Sequence, residues 1–342
     1  MTREALTLDE VLDEFRLRRI EASKNGSETT GDRYVYEVKK WADWLSEERD
    51  KTVWQADYYD LTAHLRHMRR EDYAVTTRNT RCSAISKFYQ ELQKLDGHPD
   101  FPLPVEEVPE NPYDQFDSED RRKFLTGDTK KSQGIESAEE IYYLSPEEIE
   151  QLVENVPAPR LRNQLIVRLL FDTGLRRGEL AQVKLSHLDR DDHSIYVPAF
   201  KSSEARTVTI TPSYVDRLLD EWLDGGYRDS TYFARHEDSE YLFPTNESEH
   251  LSGYSINTIV KQSADEAGLQ KVVARGSDGR KIRRVNAHTL RHSHAVQAIK
   301  SGIDVRRLQA SLGHGSLDVT LEYLKLVESD YVDASRQFDP FG

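Results

Sequence analysis

The stretch HTLRHSHAVQAIKSGIDVRRLQASLGHGSLDVTLEYL, residues 288–324, lays three helical stripes end to end and threads four candidate polar residues through them. Ala295, Val296 and Ile299 recur at helical spacing and would anchor the first helix in a core, with Asn286 as its N-cap. His288 and Arg291 stand three apart near its start, so they share one face, and the helix N-terminus adds its own affinity for an anion. Val305, Leu308 and Leu312 make the second stripe, which Gly313 ends. His314 follows in a glycine-flanked turn. Leu317, Leu321 and Leu324 make the third stripe. Tyr323 points about 120° away from it, at the edge of the buried face, where its hydroxyl is expected to face outward.

Two residues upstream extend the set. Arg176 in DTGLRRGEL follows a buried helix directly, beside Arg177, and Glu179 is spaced to brace a guanidinium. Lys201 in PAFKSSEART sits at the mouth of an expected hairpin. Two arginines, two histidines, a lysine and a tyrosine suit metal-free attack on a phosphodiester: a phenol as nucleophile, fixed cations on the phosphate, and a proton donor for the leaving alcohol. Each residue also has a plainer reading. His288 and Arg291 fit a packed histidine beside a surface ion pair, and His314 fits an exposed loop. Tyr323 is one of 17 tyrosines, and Tyr331 lies close by in a more acidic stretch. Lys201 could be a solvated lysine. The triplet His288, His292 and His294 evokes a metal site, but no carboxylate lies in HTLRHSH and Arg291 would sit beside the ion. His292 is expected as a hydrogen-bonded core histidine, and no metal or other cofactor is expected.

Composition bounds the rest. The 342 residues allow two cores, and a single cysteine, Cys82, leaves no internal disulfide and no multi-cysteine metal site. Neither a membrane-spanning run nor a signal-peptide core is evident, so a cytoplasmic protein without membrane partners is expected. The net charge of -14 argues at first against nucleic acid. Between Lys271 and His314, however, ten lysines and arginines, Arg283 and Arg284 among them, face only Asp278 and Asp304. Arginines outnumber lysines by 31 to 16, and with an acidic surface this reads as adaptation to a salt-rich (halophilic) source, where long-range repulsion from DNA is screened.

Periodicity predicts helices over residues 6–95. Tyr34, Val38, Trp41 and Leu45 form one stripe; Cys82, Ile85, Phe88, Tyr89 and Leu92 form another, whose far face would offer Arg78, Arg81 and Lys87 to DNA. The five prolines and many carboxylates of GHPDFPLPVEEVPENPYDQFD break the pattern. The partition is therefore a helical domain at 1–111, an acidic linker at 112–140, a second domain at 141–330, and a tail at 331–342. The second domain opens on a capping box, with Ser145 as N-cap, Pro146 at the first helical position and Glu148 closing it. SIYVPA and ARTVTIT read as one hairpin, and KVVARGSDGRKIRRV as another around Asp278-Gly279. The fold class is mainly α with a small antiparallel sheet.

TGLRRGEL and residues 288–324 resemble the two arginine boxes of the tyrosine recombinases, the family of phage integrases and Xer-type recombinases, over about Tyr142 to Val327. The 26-residue step from His288 to His314 and the nine-residue step to Tyr323 agree with that pattern. SETTGDRYVYEVKKWADWL and TTRNTRCSAISKFYQEL resemble its helical, SAM-like core-binding domain. The resemblance implies that Arg176, Lys201, His288, Arg291 and His314 are catalytic and Tyr323 the nucleophile, in a site-specific recombinase working through a 3′-phosphotyrosyl intermediate. It further implies double-stranded DNA with inverted-repeat sites, a homodimer on each site and a homotetramer at synapsis. The tail would dock on a neighbouring protomer. The competing readings are a catalytically silent DNA-binding or architectural relative, against which the complete residue set stands, and a metal-dependent phosphoesterase, which chelators would inhibit.

Overall fold

Four helices make the first core: α1 (Leu8–Glu21), α2 (Glu28–Arg49), α3 (Tyr58–Arg70) and α4 (Val75–Leu95). Val38, Trp41 and Leu45 of α2 are fully buried and pack with Ile85, Phe88 and Leu92 of α4, as their helical spacing requires. Asp57 caps α3, its carboxylate accepting from the Asp60 N–H at 3.0 Å. This computed structural model describes residues 5–21, 28–98, 100–126, 141–199, 204–211, 214–230, 239–313, 317 and 320–328. The chain divides into two units, Met1–Glu140 with Val273–Ile282, and Ile141–Val272 with Arg283–Gly342.

Three expectations for the first unit need correction. Arg78 and Arg81 do not lie on a free face: they are 6% and 4% exposed. Arg81 donates to the buried Glu37 carboxylate at 2.5 Å, and Arg78 donates to the Phe124 carbonyl at 2.7 Å. Both are internal cross-ties. Removing one partner of the buried Arg81–Glu37 ion pair costs about 3–5 kcal/mol. Lys87 stays exposed, donating to Gln90.

The acidic stretch from residue 112 is not all spacer either. Phe116 and Phe124 are buried in the first core, and between them α5 (Ser118–Asp120) starts on Asp117 and runs into a wide turn, Arg121–Leu125. Aromatic anchors outweigh the carboxylates around them. Residues 127–140 lie outside the described residues. Finally, the basic hairpin (Val272–Arg275 and Lys281–Arg283) turns at Gly279, φ 74°, and its residues 273–282 belong to the first unit. The Ala74 N–H donates to Arg275 at 2.9 Å, and the Arg275 N–H to Asp72 at 2.7 Å.

The second unit opens with α6 (Pro146–Glu154), where Ser145 accepts from the Glu148 N–H and the Glu148 carboxylate accepts from the Ser145 N–H at 2.8 Å. α7 (Arg160–Thr173) runs through the core with Leu165, Ile166, Leu169 and Leu170 buried. Gly174 ends it at φ 63°. A Cβ there would lie 2.7 Å from His294 and 2.8 Å from Leu312, so both the backbone and the packing require glycine. α8 (Arg177–Ala181) follows.

Three short strands, β1 (Leu188–Asp189), β2 (Ser194–Val197) and β3 (Arg206–Thr209), pair antiparallel in that order, with Ile195 opposite Val208. The remainder is α9 (Tyr214–Leu223), α10 (Gly253–Glu266), α11 (Ala287–Lys300), α12 (Val305–Leu312) and α13 (320–328). Besides its main core the unit has a small cluster of Ala295, Val296, Leu308, Leu312 and Tyr323. Among the described residues no helix is long and apolar enough to cross a membrane.

Candidate active site

α11 carries the centre of the site. Asn286 caps it, accepting from the His288 N–H at 2.8 Å, and Ala295 and Val296 root it in the small cluster. Arg291, 1% exposed, donates Nη1 to the Gly174 carbonyl and Nη2 to the Leu312 carbonyl, both at 2.8 Å. It thereby satisfies the C-terminal ends of α7 and α12. Its Nε is buried with no acceptor among the described residues. Such an orphan donor costs about 1–3 kcal/mol and is one an incoming anion could relieve. Burial, and after it the Arg176 charge, draws the Arg291 pKa down to about 10, which leaves it cationic at neutral pH.

Arg176 lies at the start of α8, one-third exposed, its Nη1 3.0 Å from Glu179 and its Nη2 donating to the Gly313 carbonyl at 3.3 Å. Glu179 is fully buried and also accepts from the Arg176 N–H at 2.8 Å. A third arginine, outside the set expected from sequence, completes this network. Arg206 of β3 makes a two-pronged pair with Glu179 at 2.9 and 3.1 Å and donates to the Ser311 carbonyl at 2.6 Å. Burial pushes the Glu179 carboxyl up, but the Arg206 hydrogen bonds, the Arg176 N–H and the two charges together outweigh it and hold it at about 2. The signal available in sequence was ARTVTIT itself, where Arg206 opens a strand beside a candidate catalytic lysine.

Tyr323 departs from expectation. Its side chain is not turned outward: it is 1% exposed and belongs to the small cluster. α11 and α12 cover the flank that a one-faced surface helix would have left open. Its hydroxyl lies 2.7 Å from Nδ1 of His292, which is half-buried. Burial raises the phenol's pKa, while Arg291 and Arg176 pull the other way. The His288 ring packs edge-on against His292, centroids 4.2 Å apart, although His288 keeps exposed surface. Loss of water on the packed side, and then the charges of Arg291, Arg176 and Arg177, lower its pKa. His294, against Gly174, is held at about 4 by burial.

The structure thus brings Arg176, Glu179, His288, Arg291 and Tyr323 into one neighbourhood, within a shared electrostatic field. Lys201 and His314 lie outside the described residues. Arg283 pairs with Asp265, and the Arg284 guanidinium lies 3.6 Å from the centre of the Tyr142 ring, so both are partly engaged within the fold. Among the described residues no group of three histidine, cysteine or carboxylate side chains is arranged to hold a metal ion.

Comparison with known proteins bears on this constellation. The tyrosine recombinase XerA of Pyrococcus furiosus is 30% identical over 195 residues, covering 56% of this chain and 59% of its own. The chain therefore spans less than two thirds of that relative's length. The tyrosine recombinase XerC of a Roseiflexus species is 26% identical over 314 residues, covering 90% of this chain and 86% of its own. Among solved structures, XerH site-specific recombinase bound to palindromic difH substrate aligns with a TM-score of 0.62 at 18% identity, over 98% of this chain and 90% of that one, a likeness of fold. The N-terminal SAM-like domain of phage integrases matches residues 12–94, and the phage integrase family pattern matches residues 142–329, more than half of the sequence. A mainly α chain with a SAM-like helical domain and an integrase-type catalytic domain, this protein belongs to the phage integrase family.

Proposed function

We propose that this chain is a site-specific DNA recombinase that cuts and rejoins duplex DNA through Tyr323. The observation that carries the reading is the Tyr323 hydroxyl, hydrogen-bonded at 2.7 Å and lying in the positive field of Arg291 and Arg176. The phenol oxygen attacks phosphorus in line, a tyrosyl–phosphorus bond forms at the 3′ side, and the bond to the 5′ oxygen breaks. The covalent intermediate stores the bond energy, so rejoining needs no ATP.

Arg176 and Arg291 stabilise the nonbridging oxygens as charge develops on them. A preorganised donor of that kind contributes about 2.7–4 kcal/mol to lowering the barrier. Glu179 and Arg206 fix the angle at which Arg176 is offered. His288, on the exposed rim of α11, orients the phosphate. Sequence spacing supports His314 as a further phosphate donor and Lys201 as the acid that protonates the 5′ oxygen. Because Tyr323 is 1% exposed, the shell over the phenol has to open before a phosphodiester can reach it.

The partners that follow are double-stranded DNA with inverted-repeat sites, a dimer of this chain on each site and a tetramer at synapsis. Lys87, Arg283 and Arg284 are the DNA-contact candidates that keep exposed surface. The test is a nicked suicide duplex carrying a site recovered from a randomised inverted-repeat library by covalent capture. A denaturant-resistant adduct should form without divalent metal, and peptide mapping should place the nucleotide on the Tyr323 peptide. An adduct on another residue, or dependence on a chelatable metal, would end the proposal.

We further place the protein in the cytoplasm of a salt-adapted cell, on its net charge of -14 and its arginine excess. Adduct formation should then rise between dilute buffer and about 1 M salt, where the Debye length shrinks to about 3 Å. A flat or falling salt profile argues against the adaptation and leaves the chemistry untouched.

A further inference from the structure

The family resemblance implies a catalytic role for His288, and His292 is expected as a hydrogen-bonded core histidine; the ring within hydrogen-bond distance of the Tyr323 oxygen is that of His292. Nδ1 of His292 and the Tyr323 oxygen are 2.7 Å apart, within the distance at which a proton can pass directly. The helix presenting His292 is rigidly placed. Leu290, Ala295 and Val296 are fully buried, Ser293 accepts from the Leu144 N–H at 2.8 Å, and the cap at Asn286 fixes the first turn. The ring is held on another side by His288, 4.2 Å away between centroids. Arg291, the phosphate clamp, is the preceding residue, so phosphate and base would be offered from one turn of one helix. A buried phenol raised above its ordinary pKa does not ionise unaided at neutral pH, and an acceptor has to be within reach as it attacks.

We propose that His292, not His288, takes the Tyr323 proton as the phenol oxygen attacks the scissile phosphorus. The proposal rests on Tyr323 being the nucleophile. The step uses the neutral His292 tautomer that carries its own proton on Nε2 and accepts at Nδ1. As the tyrosyl O–H breaks, an N–H forms at Nδ1, the P–O bond to Tyr323 forms, and the P–O5′ bond breaks. The 5′ oxygen takes its proton from the donor on the other side of the phosphate. On rejoining, the 5′ hydroxyl returns that proton and attacks, and the departing phenolate recovers its own from His292. Nothing is oxidised or reduced.

The test compares the full-length chain with His292→Asn, His292→Phe and Tyr323→Phe on the nicked duplex recovered by covalent capture. Single-turnover adduct formation is read beside noncovalent DNA affinity and melting temperature. Both His292 variants should cut about 10²–10⁴-fold more slowly while binding DNA as before, since asparagine can accept the hydrogen bond but cannot hold the proton. A 5′-bridging phosphorothiolate, whose sulfur leaves without an acid, should not restore either variant. A more acidic phenol, 3,5-difluorotyrosine at position 323 in the His292→Asn background, should recover at least about tenfold.

Three outcomes overturn the assignment: rates within about threefold of the unaltered chain for both variants, faster cutting, or rescue by the sulfur leaving group. Faster cutting would make the contact a restraint on the nucleophile, and sulfur rescue would move His292 to the acid side. An adduct that survives Tyr323→Phe, or none with the unaltered chain, would instead defeat the nucleophile reading and this proposal with it.

Discussion

Tyr323→Phe is expected to abolish the covalent protein–DNA adduct while leaving the fold and DNA binding in place. The ring sits in the small cluster with Ala295, Val296, Leu308 and Leu312, and a phenyl group fills the same volume. What is lost is one hydroxyl and its hydrogen bond to His292, worth about 0.5–1.5 kcal/mol of stability. Because His292 is half-buried rather than sealed in, water can stand in for the phenol at the ring nitrogen. The kinetic effect is of another order. With no phenol oxygen there is no bond for the nick to be trapped in, and adduct should fall to background on a denaturing gel. Mobility-shift affinity should stay within about twofold and melting within a few degrees, since the loss of one hydrogen bond of this size shifts Tm little. An adduct at the normal level would pass the role to another residue, with Tyr331 the first to check. Loss of binding together with the adduct would make Tyr323 structural.

How much of this could be read from the chain divides by distance along the sequence. Ser145, Pro146 and Glu148, Gly174, Asn286 and Gly313 each do their work within a turn of their own position, and the structure has each of them ending or starting a helix. The individual hydrogen bonds and ion pairs between residues far apart along the chain are not legible. Glu37 reaches Arg81 across 44 residues, Glu179 reaches Arg206 across 27, and His292 reaches Tyr323 across 31. The misplacement of Arg81 was avoidable. Residues 81, 85, 88 and 92 fall on one stripe at i, i+4, i+7 and i+11, so Arg81 shares the face of Ile85, Phe88 and Leu92. Charge suggests exposure at this position, but periodicity points it inward. The expected outward turn of Tyr323 fails for a related reason. A helix has one stripe only when it has one neighbour, and α13 packs in a cluster fed by both α11 and α12.

Glu179→Ala should be the most destabilising single change in the second unit's site, and it should remove activity through Arg176 rather than by touching DNA. The carboxylate is fully buried and holds two arginines, Arg206 by two hydrogen bonds and Arg176 by its side chain and its N–H. Deleting it leaves the Arg206 guanidinium, 8% exposed, without its counter-charge, and such an uncompensated buried charge costs about 3–5 kcal/mol. Pairing Glu179→Ala with Arg206→Met should return part of that loss, because the orphaned charge goes as well. It should not return activity, because Arg176 still lacks its brace. A misaimed clamp should slow adduct formation by about 10²–10³-fold. The same carboxylate sets an acid limit. Its pKa falls from the ordinary carboxyl value of 4.5 to about 2 in the fold, so it contributes stability in full above about pH 4.5. That contribution is lost progressively as pH drops towards 2, and a shift of this size corresponds to about 3 kcal/mol. Urea unfolding of the unaltered chain should therefore weaken over that window, and the Glu179→Ala, Arg206→Met chain should show a visibly shallower decline. Equal acid slopes in the two proteins would place the acid-labile group elsewhere and reduce Glu179 to a packing residue.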